Sequence, residues 1–368
     1  MLRAMLLLGI AAAALRGARN PEKLDLFVGG TGGYKTYRIP AVVVTAKGSV
    51  LAFCAARKDF GDWSDIDIAL RRSTDGGKTW SVMRIIAGAS AGTTDNPTPI
   101  ADRDGTVHFL YQTNYARIFY IRSTDDGRTF SAPVDLTPVV EGFRSEYKWA
   151  VIAPGPGHAI QLRNGRLLVP LWLSPDHSHR PSVIATIHSD DRGTSWRRGQ
   201  LLAPSDVPNP SENMPVELSD GHVMINIRNE SPRHRRAVSF SSDGAGGWSK
   251  PVFDEELYEP VCMASILRLR TGGILFSNPR SESDTEAIIA QYRMRPRNNL
   301  TIRMSNDDGR TWPVARLLEP GRTGYSDLAE GPEGSLYCLY EQGVPDHERL
   351  ANRNIRIARF GLDWLIGH

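Results

Sequence analysis

A short acidic phrase recurs along this chain and constrains its fold more strongly than any other feature. The phrase is RSTDGGKTW from Arg72, and its copies are RSTDDGRTF from Arg122, HSDDRGTSW from His188, FSSDGAGGW from Phe240 and MSNDDGRTW from Met304. The serines that open the five phrases are 50, 66, 52 and 64 residues apart. Such a period holds four short strands with their turns, which is the size of one blade of a β-propeller.

The residues between the phrases favour an all-β fold. They contain short runs rich in valine, isoleucine, leucine and aromatic residues, such as RIPAVVV, VLAFCAA, TVHFLYQ, RLLVPLWL and IRIARF. Runs of this length, bounded mostly by Gly, Asp, Asn or Pro, are typical of strands joined by turns. Five phrases and one stretch without a phrase predict a six-bladed β-propeller. A β-sandwich with additional strands is the alternative.

The phrase itself has the composition of a tight turn. Ser73 and Asp75 carry short polar side chains that can accept hydrogen bonds from nearby backbone N–H groups, and Gly77 can adopt a positive φ. Trp80 supplies a large apolar face that can fix the turn against its own sheet. A calcium site is the competing interpretation, but one or two carboxylates per turn fall short of the six to eight oxygens that calcium prefers. The phrases therefore predict structural turns.

Composition indicates one globular domain over residues 19–368. The chain has 368 residues, 40% of them hydrophobic, and no Ser/Gly/Pro-rich linker separates two halves. The 44 basic and 41 acidic residues are interspersed, so nucleic acid is not an expected partner. Residues 1–18 have a basic start, an apolar run and then small residues, which predicts a signal peptide, with a frayed or buried N-terminal segment as the alternative. The run is too short for stable membrane insertion.

The cysteines do not indicate a disulfide framework or a metal site. Cys54, Cys262 and Cys338 lie in the apolar runs VLAFCAA, PVCMASIL and SLYCLYE, which predicts core thiols. CxxC and HExxH spacings are absent from the sequence, so we expect no metal and no other cofactor.

Two motifs together resemble a known family. The repeated phrase is similar to the Asp-box, and YRIP at Tyr37 to Pro40 resembles the motif that opens the catalytic domain of sialidases (neuraminidases) of the bacterial and lysosomal type. The resemblance implies an exo-α-sialidase on a β-propeller, which releases terminal sialic acids from oligosaccharides, glycoproteins or glycolipids. The predicted signal peptide indicates a secreted or periplasmic protein, or a lysosomal or extracellular one in a eukaryote.

The resemblance assigns arginines to the carboxylate of sialic acid. Arginine suits this task because its guanidinium stays charged and can hold a carboxylate through two hydrogen bonds. The matching contexts are YRIP, VMINIRN and LTIRMSNDDG, which give Arg38, Arg228 and Arg303 as a triad. Arg57 is expected to contact the same carboxylate or to orient the acid loop. The alternatives to Arg228 in the same stretch are Arg235 and Arg236.

The resemblance also assigns the groups that make and break bonds. Tyr325 in GYSDLAEG is the expected nucleophile, because a neutral phenol avoids repulsion from the substrate carboxylate, and Glu212 in SENMPVE is its expected base. Asp62 is the expected acid for the leaving oxygen. Glu341 is expected to hold Arg38.

Some alternatives remain open at this level. The stretch ARKDFGDWSDID also contains Asp59, Asp65 and Asp67, so the acid could occupy another of these positions. A trans-sialidase would share the first chemical step with a hydrolase but exclude water from the second. A non-catalytic propeller that binds sialic acid would keep the arginines alone.

Overall fold

The structure is a computed structural model that describes residues 20–88, 91–202, 205–281, 296–343 and 352–367. The predicted signal peptide lies outside these residues. The strands in chain order are β1 (Glu22–Phe27), β2 (Thr36–Val44), β3 (Val50–Arg57), β4 (Ile66–Ser73), β5 (Arg84–Ala87), β6 (Thr94–Ala101), β7 (Val107–Thr113), β8 (Arg117–Ser123), β9 (Val134–Asp135), β10 (Val151–Pro154), β11 (Ile160–Gln161), β12 (Leu167–Ser174), β13 (Val183–Ser189), β14 (Arg197–Leu201), β15 (Asn213–Glu217), β16 (Val223–Ile227), β17 (Arg235–Ser241), β18 (Val252–Tyr258), β19 (Ser265–Arg268), β20 (Ile274–Pro279), β21 (Asn298–Ser305), β22 (Val314–Glu330), β23 (Leu336–Gly343) and β24 (Asn352–Phe360).

Helix is confined to three short pieces among these residues: α1 (Thr137–Glu141), a 3-10 helix (Gly142–Ser145) and α2 (Leu362–Ile366). The predicted all-β fold is therefore confirmed. In the part of the chain that the structure covers, no helix has the length and apolar character needed to cross a membrane.

The strands form five antiparallel sheets. Three have four strands each, in the orders β2-β3-β4-β5, β6-β7-β8-β9 and β15-β16-β17-β18, and a fourth runs β10-β12-β13-β14 with β11 paired to β12. The fifth sheet has seven strands in the order β1-β24-β23-β22-β21-β20-β19. Its long strand β22 pairs with β21 up to Arg322 and with β23 from Thr323 onward. Within each sheet the strands pair in chain order, except that β10 and β11 both pair with β12 and that β1 pairs with β24.

Strands of neighbouring sheets contact one another in cyclic order. Strand β2 contacts β6, β6 contacts β10, β12 contacts β15, β15 contacts β19, β19 contacts β22, and β22 contacts β2 again. The sheets therefore close a ring. Since β1 pairs with β24, the two ends of the described chain meet in one sheet and hold that ring shut.

The hydrophobic core lies in layers between neighbouring sheets. Phe53 of β3 packs against Phe109 of β7, with ring centroids 4.8 Å apart. Met214 and Ile266 belong to the layer between the sheets of β15 and β19. The three cysteines are free and buried in these layers, as predicted for core thiols.

The repeated phrases form the turns between the third and fourth strands of their sheets. In the first copy, the Ser73 hydroxyl accepts a hydrogen bond from the Gly77 N–H at 2.8 Å, and Gly77 has φ of +85°. Asp75 accepts hydrogen bonds from the backbone N–H and the hydroxyl of Thr79 at 2.9 and 2.6 Å. Trp80 packs against the core layer and donates to the Gly77 carbonyl at 3.0 Å. The prediction of a structural turn is confirmed.

The copies around Asp125, Asp191 and Asp307 repeat these contacts. The copy around Asp243 is distorted, and Ala245 takes the place of a glycine there. There Asp243 accepts from the Ala245 N–H at 2.9 Å, two residues on rather than four.

Candidate active site

A buried tyrosine lies at the centre of the site. Tyr325, on β22, is 5% exposed. Its hydroxyl donates a hydrogen bond to Glu212 Oε1 at 2.6 Å and accepts one from Arg228 Nη1 at 2.6 Å. Arg228 also donates to the other oxygen of Glu212. Burial raises the pKa of the Tyr325 phenol well above its ordinary value, so the hydroxyl stays protonated unless a base removes its proton.

Glu212 and Arg228 are brought together by strand pairing. Glu212 immediately precedes β15 and Arg228 immediately follows β16, and these two strands are antiparallel neighbours. The end of one strand therefore lies beside the start of the other. The Arg228 N–H donates to the Glu212 carbonyl at 3.0 Å, and the Arg228 carbonyl accepts from the Ser211 N–H at 3.0 Å. This edge of the sheet ring is where the candidate site lies.

Three guanidinium groups surround the Tyr325 ring. The Cζ atoms of Arg38 and Arg297 are each 5.3 Å from the ring centroid, and that of Arg228 is 6.0 Å away. Burial lowers the pKa of Arg38, but Glu341 and Asp62 outweigh that effect and raise it above its ordinary value. Arg38 and Arg228 stay charged in the neutral pH range, which makes the pocket suited to an anion.

The structure does not place Arg303 beside Arg38 and Arg228, as the predicted triad requires, and Arg297 lies beside Tyr325 instead. Arg303 pairs across the sheet with Phe276 and Ala315, and its charged neighbours include Arg280 and Glu256. The third strand of each sheet starts at the site edge and runs toward the repeated turn at the opposite edge. The two arginines are six positions apart along the chain, roughly 20 Å at about 3.3 Å per residue in an extended strand.

A buried carboxylate fixes the first arginine. Glu341 Oε1 accepts hydrogen bonds from Arg38 Nε at 3.1 Å and from the Ile39 N–H at 3.0 Å, and its other oxygen accepts from the Tyr325 N–H at 3.2 Å. Ile39 has φ of +56°, an unfavourable value for a β-branched residue. Glu341 therefore holds Arg38 and the tyrosine strand in one arrangement, as expected for its supporting position.

Asp62 lies on the loop between β3 and β4 and contacts two of the arginines. Its Oδ1 accepts a hydrogen bond from Arg57 Nη1 at 2.6 Å and lies 3.7 Å from Arg38 Nη1. Arg57 is fully buried and also donates to Asp95 at 2.8 Å, a carboxylate that the sequence analysis did not identify. Burial raises the pKa of the Asp62 carboxyl, but the lowering by Arg57 and Arg38 is larger. The pKa therefore lies well below its ordinary value.

The structure separates Asp62 from the other aspartates of this stretch. Asp59 is exposed and pairs with Lys35, Asp65 accepts from the Gly92 N–H at 2.7 Å, and Asp67 accepts from the Tyr34 hydroxyl at 2.7 Å. The arginine alternatives lie elsewhere too, since Arg236 is buried against Glu259 and Asn226 and Arg235 bonds the His234 carbonyl.

An aromatic wall adjoins Asp62 and was not predicted from the sequence. It comprises Trp63, Tyr115, Trp172, His177 and His179, with neighbouring ring centroids 4.3 to 6.0 Å apart. Trp172 lies on β12, and the other wall residues lie in the loops that follow β3, β7 and β12, which belong to three different sheets. Burial lowers the pKa of His179, which favours its neutral form. No single stretch of sequence contains the wall, so local patterns could not have signalled it.

Metal-ligating residues do not cluster here. Within the ranges that the structure covers, no three His, Cys, Asp or Glu residues are grouped to hold a metal ion. The site therefore consists of four arginines, the carboxylates that contact them and the phenol of Tyr325. The arginines are Arg38, Arg57, Arg228 and Arg297, and the carboxylates are Asp62, Asp95, Glu212 and Glu341. Together the fold and site define a ring of β-sheets with an arginine-lined pocket around a buried tyrosine.

Comparison with known proteins gives the family. The BNR repeat-like domain matches residues 65–338. A sialidase of Micromonospora viridifaciens is 33% identical, over 97% of this chain and 57% of its own length, so this chain spans little more than half of that relative. Sialidase-2 of Cricetulus griseus is 30% identical over 84% of this chain and 90% of its own length. The solved structure of the Hadza microbial sialidase Hz136 superposes with a TM-score of 0.78, at 27% identity, over 93% of this chain and 69% of its own. The chain belongs to the sialidase family.

Proposed function

We propose that this protein is an exo-α-sialidase, which hydrolyses terminal sialic acids of glycoconjugates with retention through a covalent tyrosyl intermediate. The observation that carries the proposal is the Tyr325 hydroxyl, hydrogen-bonded to Glu212 and Arg228 and surrounded by three guanidinium groups. Arg38, Arg228 and Arg297 bind the substrate carboxylate, and a neutral phenol can approach the adjacent anomeric carbon without like-charge repulsion.

The first chemical step joins the tyrosine to the sugar. Glu212 accepts the phenolic proton while the Tyr325 oxygen forms a bond to the anomeric carbon. The bond from that carbon to the leaving oxygen breaks, and Asp62 donates a proton to the leaving oxygen. In the second step Asp62 removes a proton from water and the water oxygen bonds to the anomeric carbon. The bond from that carbon to the Tyr325 oxygen breaks, and the departing phenolate recovers its proton from Glu212. Two displacements on one carbon retain its configuration.

Substrate binding supports the role of Asp62 as an acid. In the free protein Arg57 and Arg38 lower the pKa of this carboxyl after burial has raised it. The substrate carboxylate pairs with Arg38, and the leaving group covers the loop that carries Asp62. Both changes weaken the stabilisation of the charged form and raise the pKa toward the range in which Asp62 can donate a proton.

A six-bladed propeller is part of the proposal. Four sheets count as one blade each, and the seven-stranded sheet divides within β22 into two units of four strands, because β22 serves first as an outer and then as an inner strand. Five of these six units carry the repeated turn. We further propose export through residues 1–18, with sialylated oligosaccharides, glycoproteins or glycolipids as substrates.

Two substitutions test the mechanism. Tyr325→Phe removes the attacking oxygen, so we expect kcat for α2,3-sialyllactose to fall at least about 10³-fold. Asp62→Asn removes the acid and is expected to lower kcat by about 10² to 10⁴-fold. The measurement is release of free sialic acid from α2,3- and α2,6-sialyllactose, with identification of the product.

The controls are Tyr111→Phe and Asp59→Asn, a buried tyrosine on β7 and an exposed aspartate of the acid loop. They should retain near-normal rates. Normal turnover by a folded Tyr325→Phe protein would refute the proposal. Formation of sialyl-lactose isomers when lactose is added, in place of free sugar, would instead identify a transferase.

A further inference from the structure

One exposed aromatic residue follows the acid directly in the chain. Trp63 is 42% exposed, and its ring stacks on that of His177 with centroids 4.3 Å apart and an interplanar angle of 20°. Its ring centroid lies 4.8 Å from that of Tyr115, a buried residue whose ring is fixed by the core. Trp63 is thus held from two sides while part of its surface faces solvent at the mouth of the site.

Because Trp63 follows Asp62 in the chain, the leaving group of the substrate lies close to its side chain. A proton donor must lie about 2.6 to 3.2 Å from the leaving oxygen, so the leaving group begins directly beside Asp62. The Cα atom of Trp63 is about 3.8 Å further along the chain. The first sugar ring of a leaving group is wider than the 3.8 Å or so between the Cα atoms of Asp62 and Trp63. A ring that starts beside Asp62 therefore extends over the neighbouring side chains of the loop formed by residues 58–64.

The chemistry of the surface selects a neutral ring. The carboxylates of this loop already have cationic partners, since Asp62 accepts a hydrogen bond from Arg57 and Asp59 pairs with Lys35. The exposed indole presents an apolar face with a negative π-cloud, which attracts the weakly positive C–H groups on one side of a sugar ring. A neutral hexopyranose, which presents such C–H groups on one face of its ring, matches this surface better than a second charged sugar or a peptide.

We infer that Trp63, supported by His177, forms a binding platform for the neutral sugar ring of the leaving group. The inference rests on the proposed sialidase function and extends it to substrate choice. The platform makes the enzyme distinguish sialic acid attached to a galactose-type ring from sialic acid attached to a small alcohol. It is a specificity site beside the reaction centre, separate from the arginines that bind the sialic acid itself.

The experiment compares two leaving groups on one enzyme. kcat/KM is measured for α2,3-sialyllactose and for the methyl α-glycoside of sialic acid, with wild-type protein and Trp63→Ala. We expect Trp63→Ala to lower kcat/KM about 5- to 10-fold for sialyllactose and less than about 2-fold for the methyl glycoside, in line with one lost aromatic contact. Trp63→Phe should restore part of the difference. Phe60→Ala, which removes the other exposed aromatic of this loop at 45% exposure, is the matched control.

The outcomes separate the two proposals. Equal losses of kcat/KM on both substrates would place Trp63 against the sialic acid or against Asp62. An unchanged kcat/KM for both substrates would show that Trp63 does not contact the leaving group. Either result overturns the platform. If wild-type protein cleaves neither substrate, the proposed function fails. Saturation-transfer NMR with lactose alone then decides about the platform, since transfer to the galactose ring should occur with wild-type protein and vanish with Trp63→Ala.

Discussion

Carboxylates at the site each hold one arginine before any substrate arrives. Glu341 holds Arg38, Asp95 holds Arg57, and Glu212 holds Arg228. A buried guanidinium with a fixed partner loses little further rotational freedom on binding an anion, so more of the interaction energy is available to the substrate. The same partners offset the cost of burying the arginines.

Substitution of single arginines tests whether Arg297 or Arg303 is the third arginine that binds the substrate carboxylate. Arg297→Lys replaces a group beside Tyr325 with one that cannot form the same paired hydrogen bonds, and we expect kcat/KM for sialyllactose to fall about 10- to 100-fold, mainly through KM. Arg303→Lys, the matched change on the same sheet, should alter kcat/KM less than about 3-fold. Steady-state kinetics of both variants measure this. A larger loss of kcat/KM for Arg303→Lys than for Arg297→Lys would support the triad of Arg38, Arg228 and Arg303 that the sequence predicts.

At the scale of the element, the repeated turn is a closed set of hydrogen bonds around one aspartate. In the last copy, Asp307 accepts from the N–H and hydroxyl of Thr311 at 2.9 and 2.7 Å and from the Ser305 hydroxyl at 2.7 Å. Hydrogen bonds from Thr311 and Ser305 lower the pKa of Asp307 to about 2. The turn is therefore strongest when this carboxylate is charged.

That pKa predicts a pH-dependent stability contribution. A carboxyl with a depressed native pKa stabilises the fold above its unfolded pKa of about 3.9, and the contribution is lost as pH falls through about 2. Asp307→Ala should therefore lower Tm at pH 6, and the difference from wild type should shrink as pH falls from 4 toward 2. Calorimetry across this range measures it, with Asp206→Ala as the control for an exposed loop carboxylate. A constant difference would contradict the argument.

At the scale of the whole molecule, one buried carboxylate joins several first strands of the ring. Asp327 accepts hydrogen bonds from the Val42 N–H at 2.9 Å, the His158 N–H at 3.0 Å and the Ser265 hydroxyl at 2.9 Å. His158 Nδ1 lies 2.7 Å from the same carboxylate. These partners come from three different sheets, and Tyr325 is only two residues away on β22. The centre of the ring and the site are thus positioned by one strand.

Removing this carboxylate should weaken the ring as a unit. Asp327→Ala leaves several buried donors without a partner, and each such group costs about 1 to 3 kcal/mol, so we expect the free energy of unfolding to fall by at least about 3 kcal/mol. Urea denaturation followed by tryptophan fluorescence measures the change. Asp206→Ala should cost less than about 0.5 kcal/mol. A loss for Asp327→Ala of similar size to this control would contradict a central role.

Much of the architecture and part of the site followed from local patterns. The turns around Asp75 and its copies were predictable because each forms from residues within a single phrase. Arg38, Glu212 and Tyr325 were predictable because they stand in motifs that resemble a family. Arg303 was chosen by its nearness to a repeated turn, but that turn lies at the opposite edge of its sheet. The position of Arg297, immediately before its strand, was the informative signal.

The sequence by itself determined the all-β fold, the repeated turns and the residue types needed to bind an anion beside a neutral nucleophile. These properties depend on contacts between residues close in the chain or on motifs of a few residues. Only the tertiary structure decided that Arg297 lies beside Tyr325, that Asp95 holds Arg57, and that Trp63 stacks on His177. Each of these contacts joins residues from different strands or sheets, and their distances are fixed by strand register and by closure of the ring.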